Sequence, residues 1–413
     1  MTRRDLLFGV AAAQSLRLSA PQHNFELDAE AQVEPGADAS IRFQAARGFV
    51  VRISSSQPGE RAKTGSLLGL RHLYKQLVAD REWFRINLVV RQANAQVRLN
   101  GVLVADYTHP EPFGAGTLEL HGPDAVFRGV RVKKLPDDAR NENAPPPQTD
   151  ALAQKLQTLA AQNYPVVDYH THLKGGLTLD LALQHWLTTG IGVGAAVNCG
   201  LGMEVREPAG ARKFIQSLQG QPVYIAMQAE GREWMDMFPR DVASEFEYIF
   251  TDSMTWTDDR GKRMRLWRPN EVGVIPDPQE FMETLVRRTV GILEREPVDI
   301  YVNPTFLPAP LDKRYDELWT DARITKVVKA AKASDIAIEL NDRYKLPGER
   351  VVRAAKAEGV KFSFGTNNAG ANDLGRCEYG VEMVERCKLQ WSDFFVPRPK
   401  GDRAIDRRGY PSR

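Results

Sequence analysis

A run of three prolines, Pro145-Pro146-Pro147, separates two stretches of this 413-residue chain whose side-chain periodicities cannot belong to one sheet or one bundle. Before it, short segments alternate or run rich in β-branched and aromatic residues: Ser40-Ile41-Arg42-Phe43, Gly48-Phe49-Val50-Val51-Arg52-Ile53, 85–91 and 96–99. Asn100-Gly101 supplies the positive φ of a two-residue hairpin turn, and further short strands fall at 117–121 and 125–133. Many short strands with turn residues between them predict a β-sandwich. After the prolines comes an amphipathic helix at 151–162 and seven β-type segments: 166–172, 193–199, 223–229, 248–254, 298–302, 336–340 and 361–364. Helical patterns separate them, most clearly at 278–295, 320–333 and 348–359. Such alternation builds parallel strands and predicts an α/β barrel. The implied organisation is an export signal or disordered segment at 1–22, an all-β domain at 23–135, a stiff linker at 136–150, a barrel at 151–397 and a tail without fixed structure at 398–413.

Acidic and basic residues are mixed and the formal charge is only +2, which leaves no basic stripe for nucleic acid. The cluster Arg260, Lys262, Arg263, Arg265 and Arg268 reads as a solvated loop. Cys199, Cys377 and Cys387 read as buried free thiols and not as a disulfide framework. No segment approaches the ~18 consecutive apolar residues of a membrane span. Arg3-Arg4 precedes a short, moderately apolar stretch at 10–13, and Leu18-Ser19-Ala20 offers a small-residue cleavage point, although Arg17 interrupts the segment. This resembles a twin-arginine export signal and predicts a periplasmic or secreted protein, a cytoplasmic one being the alternative.

The motif with chemistry in it is Asp168-Tyr169-His170-Thr171-His172. Strand residues two apart share a face, so His170 and His172 converge at a strand end, as at the start of a divalent-metal site. The seven histidines stand at 23, 72, 109, 121, 170, 172 and 185, so no histidine-rich binuclear site can be completed from later strands.

Two resemblances follow. Glu82-Trp83, Arg98-Leu99-Asn100-Gly101, Ala105-Asp106-Tyr107, Gly116 to Gly122 and Phe127-Arg128-Gly129-Val130, added to the segments above, resemble the 3-keto-disaccharide hydrolase domain family, a concanavalin-like jelly roll. The resemblance implies a carbohydrate-facing groove with Arg42, Glu82, Trp83 and His121 as candidate lining residues. The second stretch resembles the polymerase-and-histidinol-phosphatase (PHP) family of metal-dependent hydrolases, a distorted seven-stranded, TIM-like barrel. Asp168-x-His170-x-His172, Gln228-Ala229-Glu230-Gly231, Ile338-Glu339-Leu340-Asn341 and Gly365-Thr366-Asn367 carry it, in order. Where that family places further ligands, this chain has Asn198-Cys199, Met254, Asn303 and Asn367-Asn368-Ala369.

The resemblance implies a reduced metal site. His170, His172 and Glu230 suffice for one catalytic divalent ion, zinc by donor type, with Cys199, Asp252 or Glu204 as a fourth group. Such an ion lowers the pKa of its water toward ~7. Asp168 would orient an imidazole, and Glu339 would act as general base or hold a sugar hydroxyl. The alternative has no metal, with both histidines as hydrogen-bonded groove residues. The amides Asn198, Asn303, Asn341, Asn367 and Asn368 suit a polyhydroxylated ligand, and Arg232, Glu233 and Trp234 would extend that surface or form an ordinary loop. The expected function is an exported carbohydrate-active hydrolase acting on a glycoside or oxidised (3-keto) disaccharide, with catalytic residues Glu339 and Glu230. The alternatives are a non-catalytic glycan-binding protein with a metal-free barrel and, third, a phosphoesterase.

Overall fold

The computed structural model describes residues 6–7, 15–44, 48–54, 59–257 and 261–410. The chain divides into two compact units, 1–166 with 180–192 and 220–222, and 167–179 with 193–219 and 223–413. The helices Ala151–Ala161 and, from residue 180, Leu179–Thr189 therefore group with the first unit, not with the barrel as the sequence boundary at 151 implied.

Among its described residues the first unit contains β1 (Leu6–Leu7), β2 (Ser15–Gln22), β3 (Phe25–Val33), β4 (Ala39–Gln44), β5 (Phe49–Ile53), β6 (Phe84–Arg91), β7 (Asn94–Leu99), β8 (Val102–Thr108), β9 (Gly116–His121) and β10 (Ala125–Lys134). They form antiparallel sheets in the orders β1-β10-β3-β6-β7-β8 and β2-β9-β4-β5. Strict alternation makes the sandwich: Phe25, Leu27, Ala29, Ala31 and Val33 of β3 are buried, and the residues between them are not. Phe25 meets Phe43 of the opposite sheet with ring centroids 5.3 Å apart. Residues 15–22, read from sequence as signal or disorder, are a strand whose Ser15, Leu16, Arg17 and Leu18 pair with β9. Cleavage after Ala20 would cut through that strand. Arg3 and Arg4 lie outside the described residues.

The proline-rich segment is tied down by side-chain amides. Asn24 donates to the carbonyls of Pro136 (2.9 Å) and Asp137 (3.1 Å), and Asn141 donates to Asn94 Oδ1 (3.0 Å). Arg71 reaches the C-terminal end of the helix Leu179–Thr189, donating to the Leu187 carbonyl at 3.1 Å, where a cation complements the helix dipole.

The second unit is a closed parallel barrel of β11 (Val167–His172), β12 (Gly192–Gly200), β13 (Tyr224–Glu230), β14 (Tyr248–Thr251), β17 (Ile300–Tyr301), β18 (Ala337–Asn341) and β19 (Phe362–Gly365). A hairpin, β15 (Thr255–Thr257) and β16 (Arg263–Arg265), is inserted after β14. Seven strands in sequence order bear out the barrel expectation. Its interior is aromatic: Tyr248 packs edge-on to Tyr169 and donates to that residue's carbonyl at 2.6 Å. A Cβ at Gly194 would lie 2.0 Å from the Tyr248 hydroxyl, so only glycine fits there.

Two loop expectations fail for one reason, pairing that composition does not show. In the basic run, Arg263 pairs with Glu233 and Arg265 with Glu271, which makes a hairpin of a supposed solvated loop. In the tail, Arg403 donates to the carbonyls of Ser244 (3.0 Å) and Phe246 (2.6 Å), while Ala404 and Ile405 are buried. Buried Asp299, its pKa pushed up to about 6 by desolvation, accepts the N–H of Ile249 and of Ala404 and so joins tail to barrel.

Candidate functional site

Parallel barrels present ligands at the C-terminal ends of their strands, where loop side chains converge. Here His172 ends β11, Asn198 lies late in β12, Gln228 and Glu230 end β13, Asp252 follows β14, Asn303 follows β17, and Asn367 follows β19. These seven, with Lys174, Met254, Trp267, Arg343 and Tyr344, line one cavity of about 200 Å³. Sequence reasoning did not find Lys174, Gln228, Trp267, Arg343 or Tyr344 as lining residues. Lys174, Arg343 and Tyr344 sit two or three positions beyond His172 and Asn341, which is the signal that could have located them.

Asn303 organises the mouth. Its φ of 46° is left-handed, a conformation asparagine tolerates better than most residues. That turn aims its N–H at Glu339 Oε2 (2.7 Å) and its Nδ2 at Asp252 Oδ2 (2.9 Å). Its Oδ1 accepts from Asn341 Nδ2 (3.1 Å) and Asn367 Nδ2 (2.9 Å). Asn341 is fully buried and also donates to Glu339 (2.9 Å), so it supports the site without reaching the cavity. Asn368 accepts the His172 N–H at 2.7 Å and likewise stays beneath the surface.

The carboxylates take different roles from those the motif implied. Asp168 accepts the Thr366 N–H (2.9 Å), the Thr366 hydroxyl (2.5 Å) and the Gly375 N–H (3.1 Å), so it stitches backbone and does not orient an imidazole. Glu339 does that: its Oε1 accepts from His170 Nδ1 at 2.6 Å. Fully buried and engaged at both oxygens, Glu339 does not face the cavity, which corrects its expected place as a base there. Gly365 makes room for it, since a Cβ at that position would come within 2.1 Å of Glu339 Oε1. Glu230 faces the cavity. It accepts from Gln228 Nε2 (2.8 Å), the Thr255 hydroxyl (3.2 Å) and Asn198 Nδ2 (3.4 Å). Burial, then the negative charge of Asp252, pushes its carboxyl up to about 8, and burial raises Asp252 as well.

The imidazoles each spend Nδ1 on an acceptor, His170 on Glu339 and His172 on the Ala196 carbonyl (3.1 Å), and His172 also bonds the Gln228 side chain. His170 Nε2 is buried with no partner. Burial, then the proximity of His170 and Lys174, holds His172 neutral. A third protein donor is not assembled beside them. Glu230 is turned to neutral amide and hydroxyl donors, and among the described residues no three His, Cys, Asp or Glu side chains stand where they would hold a metal. The expected His170, His172 and Glu230 set therefore does not fit a three-ligand zinc. The other suggested donors do not complete it: Cys199 is buried with its thiol pKa raised by desolvation, and exposed Glu204 is outside the cavity. Trp234 is also core, its Nε1 donating to Glu296 (2.7 Å), and Arg232 bonds Thr251 (2.9 Å).

The first unit has its own recess, about 830 Å³, over the outer face of the six-stranded sheet. Glu26, Asn87, Arg91, Gln96, Arg98 and Asp106 line it with residues of 141–146. Asp106 accepts from Asn94 (2.6 Å) and Gln96 (2.7 Å), and burial raises its pKa. The four lining residues read from sequence are elsewhere. Arg42 and His121 are exposed on strands of the other sheet, while Trp83 precedes β6 and lies under the Arg128 guanidinium, 3.8 Å from its ring centroid. Glu82 is exposed beside Trp83.

The model of the 3-keto-alpha-glucoside-1,2-lyase-like domain matches residues 9–133, a likeness that starts before the boundary at 23. No curated protein matches the chain. Solved structures similar to part of it include a Parabacteroides distasonis protein described as a glycosyl hydrolase, 17% identical, covering 30% of this chain and 86% of that one at TM-score 0.26. Others are the carbohydrate-binding module CBM66 of Bacillus subtilis (14%, 29% and 83%, TM-score 0.22) and the Caenorhabditis elegans galectin LEC-6 (11%, 31% and 95%, TM-score 0.24).

Proposed function

We propose that this chain is an exported carbohydrate-active hydrolase that binds a glycoside or oxidised disaccharide and cleaves it at the barrel mouth. The observation that carries this reading is the convergence of four neutral amides, Asn198, Gln228, Asn303 and Asn367, with Glu230 and Asp252 around one small cavity. Amides donate and accept, which matches hydroxyl groups, and a buried carboxyl with a raised pKa holds a proton at neutral pH to give to a leaving oxygen. Asp252 beside it supplies the second carboxyl that glycoside hydrolysis calls for. The domain at 9–133 supports a carbohydrate ligand, held in the recess over its six-stranded sheet. Descent of the barrel from a PHP-type scaffold is part of the proposal, supported by the ordered motifs that meet at its mouth. Export rests on Arg3-Arg4 and the apolar residues after them.

The test is turnover of a panel of nitrophenyl glycosides and 3-keto disaccharides by the full chain and by Glu230→Gln. Hydrolysis by the wild type, lost in the variant while its folding is unchanged, supports the reading. Turnover that survives Glu230→Gln moves the chemistry elsewhere. Sugar binding without turnover in either protein leaves the glycan-binding alternative.

A further inference from the structure

The cavity at the barrel mouth continues past its rim. Trp267, Arg343 and Tyr344 belong to its wall and also to the wall of a larger cleft of about 890 Å³. The two compartments differ in chemistry. The inner one carries four amides and two carboxyls, whereas Phe306, Tyr315 and Tyr379 add aromatic rings to the outer one. Phe306 and Tyr344 hold each other at 4.9 Å and 67°, an edge-to-face contact that fixes both rings. Both are only half-buried, as is Trp267. The hydroxyls nearby are spent on protein: Tyr315 bonds the Thr305 hydroxyl (2.6 Å) and accepts the Gly348 N–H (3.0 Å), and Tyr379 donates to the Pro347 carbonyl (2.6 Å). What remains for an occupant is ring carbon and the exposed carboxylates of Asp312 and Asp316, since the exposed cations of the wall, Arg343, Lys345, Arg350 and Arg386, already donate to protein acceptors.

Aromatic carbon beside carboxylate acceptors fits a sugar, whose C–H face stacks while its hydroxyls donate; a flat aryl group would leave the carboxylates unused. We propose that this cleft is a second subsite, which takes the sugar unit next to the one in the mouth. The ligand is then at least a disaccharide, with its glycosidic bond beside Trp267, Arg343 and Tyr344. This inference rests on the mouth being a sugar site.

The test is titration calorimetry of the full chain with matched pairs: glucose and trehalose, galactose and lactose, xylose and xylobiose, and nitrophenyl glucoside. At least one disaccharide is expected to bind about tenfold more tightly than its monosaccharide. Phe306→Ala and Asp316→Ala, whose residues line the outer cleft and not the mouth, are expected to remove most of that advantage, and Asp316→Ala, which does not contact Tyr344 as Phe306 does, to leave monosaccharide affinity within about twofold. Asp316 is exposed, so its variant stays informative if Phe306→Ala unfolds. Disaccharides no tighter than monosaccharides, including no binding by any pair, would overturn the proposal. So would an advantage confined to the nitrophenyl glucoside, which would assign the cleft to a flat aglycone, or equal losses for both members of a pair. Glu230→Gln separates the two readings. A lost disaccharide advantage with Glu230-dependent turnover sinks only the cleft, and Glu230-independent turnover with the advantage intact sinks only the catalytic assignment.

Discussion

The barrel mouth and the recess over the six-stranded sheet are both polar, yet they are built in opposite ways. The mouth gathers the ends of different strands onto about 200 Å³, and its carboxyls are buried and shifted. The sheet recess spreads the alternate side chains of adjacent strands over about 830 Å³. Convergence removes water and moves protons, whereas a spread surface holds a ligand without changing it. Under the proposed function, chemistry falls to the first and retention to the second.

The largest effect that would break this division is catalytic. Glu230→Gln is expected to lower turnover by ~100-fold or more, while Asp106→Asn leaves turnover at saturating substrate within about twofold. Equal losses would end the distinction. Next is stability: Gly365→Ala drives a Cβ onto Glu339 and is expected to cost ~3 kcal/mol or more in urea unfolding. Gly36→Ala in the sandwich meets no atom within 4 Å, and is expected to cost ~1 kcal/mol from its φ of 76° alone.

A smaller effect follows pH. Glu230 binds its proton more tightly folded, near 8, than unfolded, near 4.5, so its contribution is complete below pH 4.5 and is lost as pH rises to 8. Wild type is therefore expected to lose on the order of 5 °C in melting midpoint relative to Glu230→Gln across that window. Parallel melting curves would show that Glu230 ionises normally. Purified protein dialysed against chelator and then zinc is expected to retain less than one equivalent by metal analysis. One full equivalent, lost in His170→Ala, would restore the three-ligand site. Smallest of all, Arg42→Ala and His121→Ala are expected to change sugar affinity by less than about twofold, against roughly fivefold for Arg98→Ala in the recess. A reversal would move the ligand to the other sheet.

Much of the fold was legible because it is written in period. Alternation announced the sandwich, and seven β-type segments between helices announced the barrel to within a few residues of each strand. Convergence at the mouth was legible for His172, Asn198, Glu230, Asn303 and Asn367, each standing at a strand end. Partners were not. Nothing local says that Glu339 bonds His170 from 169 positions away, or that Asp168 spends itself on Thr366 and Gly375. The same blindness made the tail look unstructured, since Arg403 finds its carbonyls at Ser244 and Phe246. Along the sandwich, which face bears the recess depends on what covers it, and alternation gives both faces the same pattern.

The amide directions at the mouth have a consequence for which way round a ligand can enter. Gln228 turns its Nε2 to Glu230, Asn367 its Nδ2 to Asn303 and His172 its Nδ1–H to Ala196. Each amide thereby commits one of its two N–H groups to the protein, and the imidazole its only one. The floor is left with fewer hydrogens to give, and a sugar carbon oxidised to a ketone can only accept them. A keto sugar would bind with its intact hydroxyls on that floor and its carbonyl toward Lys174 and Arg343, in one orientation of the several its ring would otherwise allow.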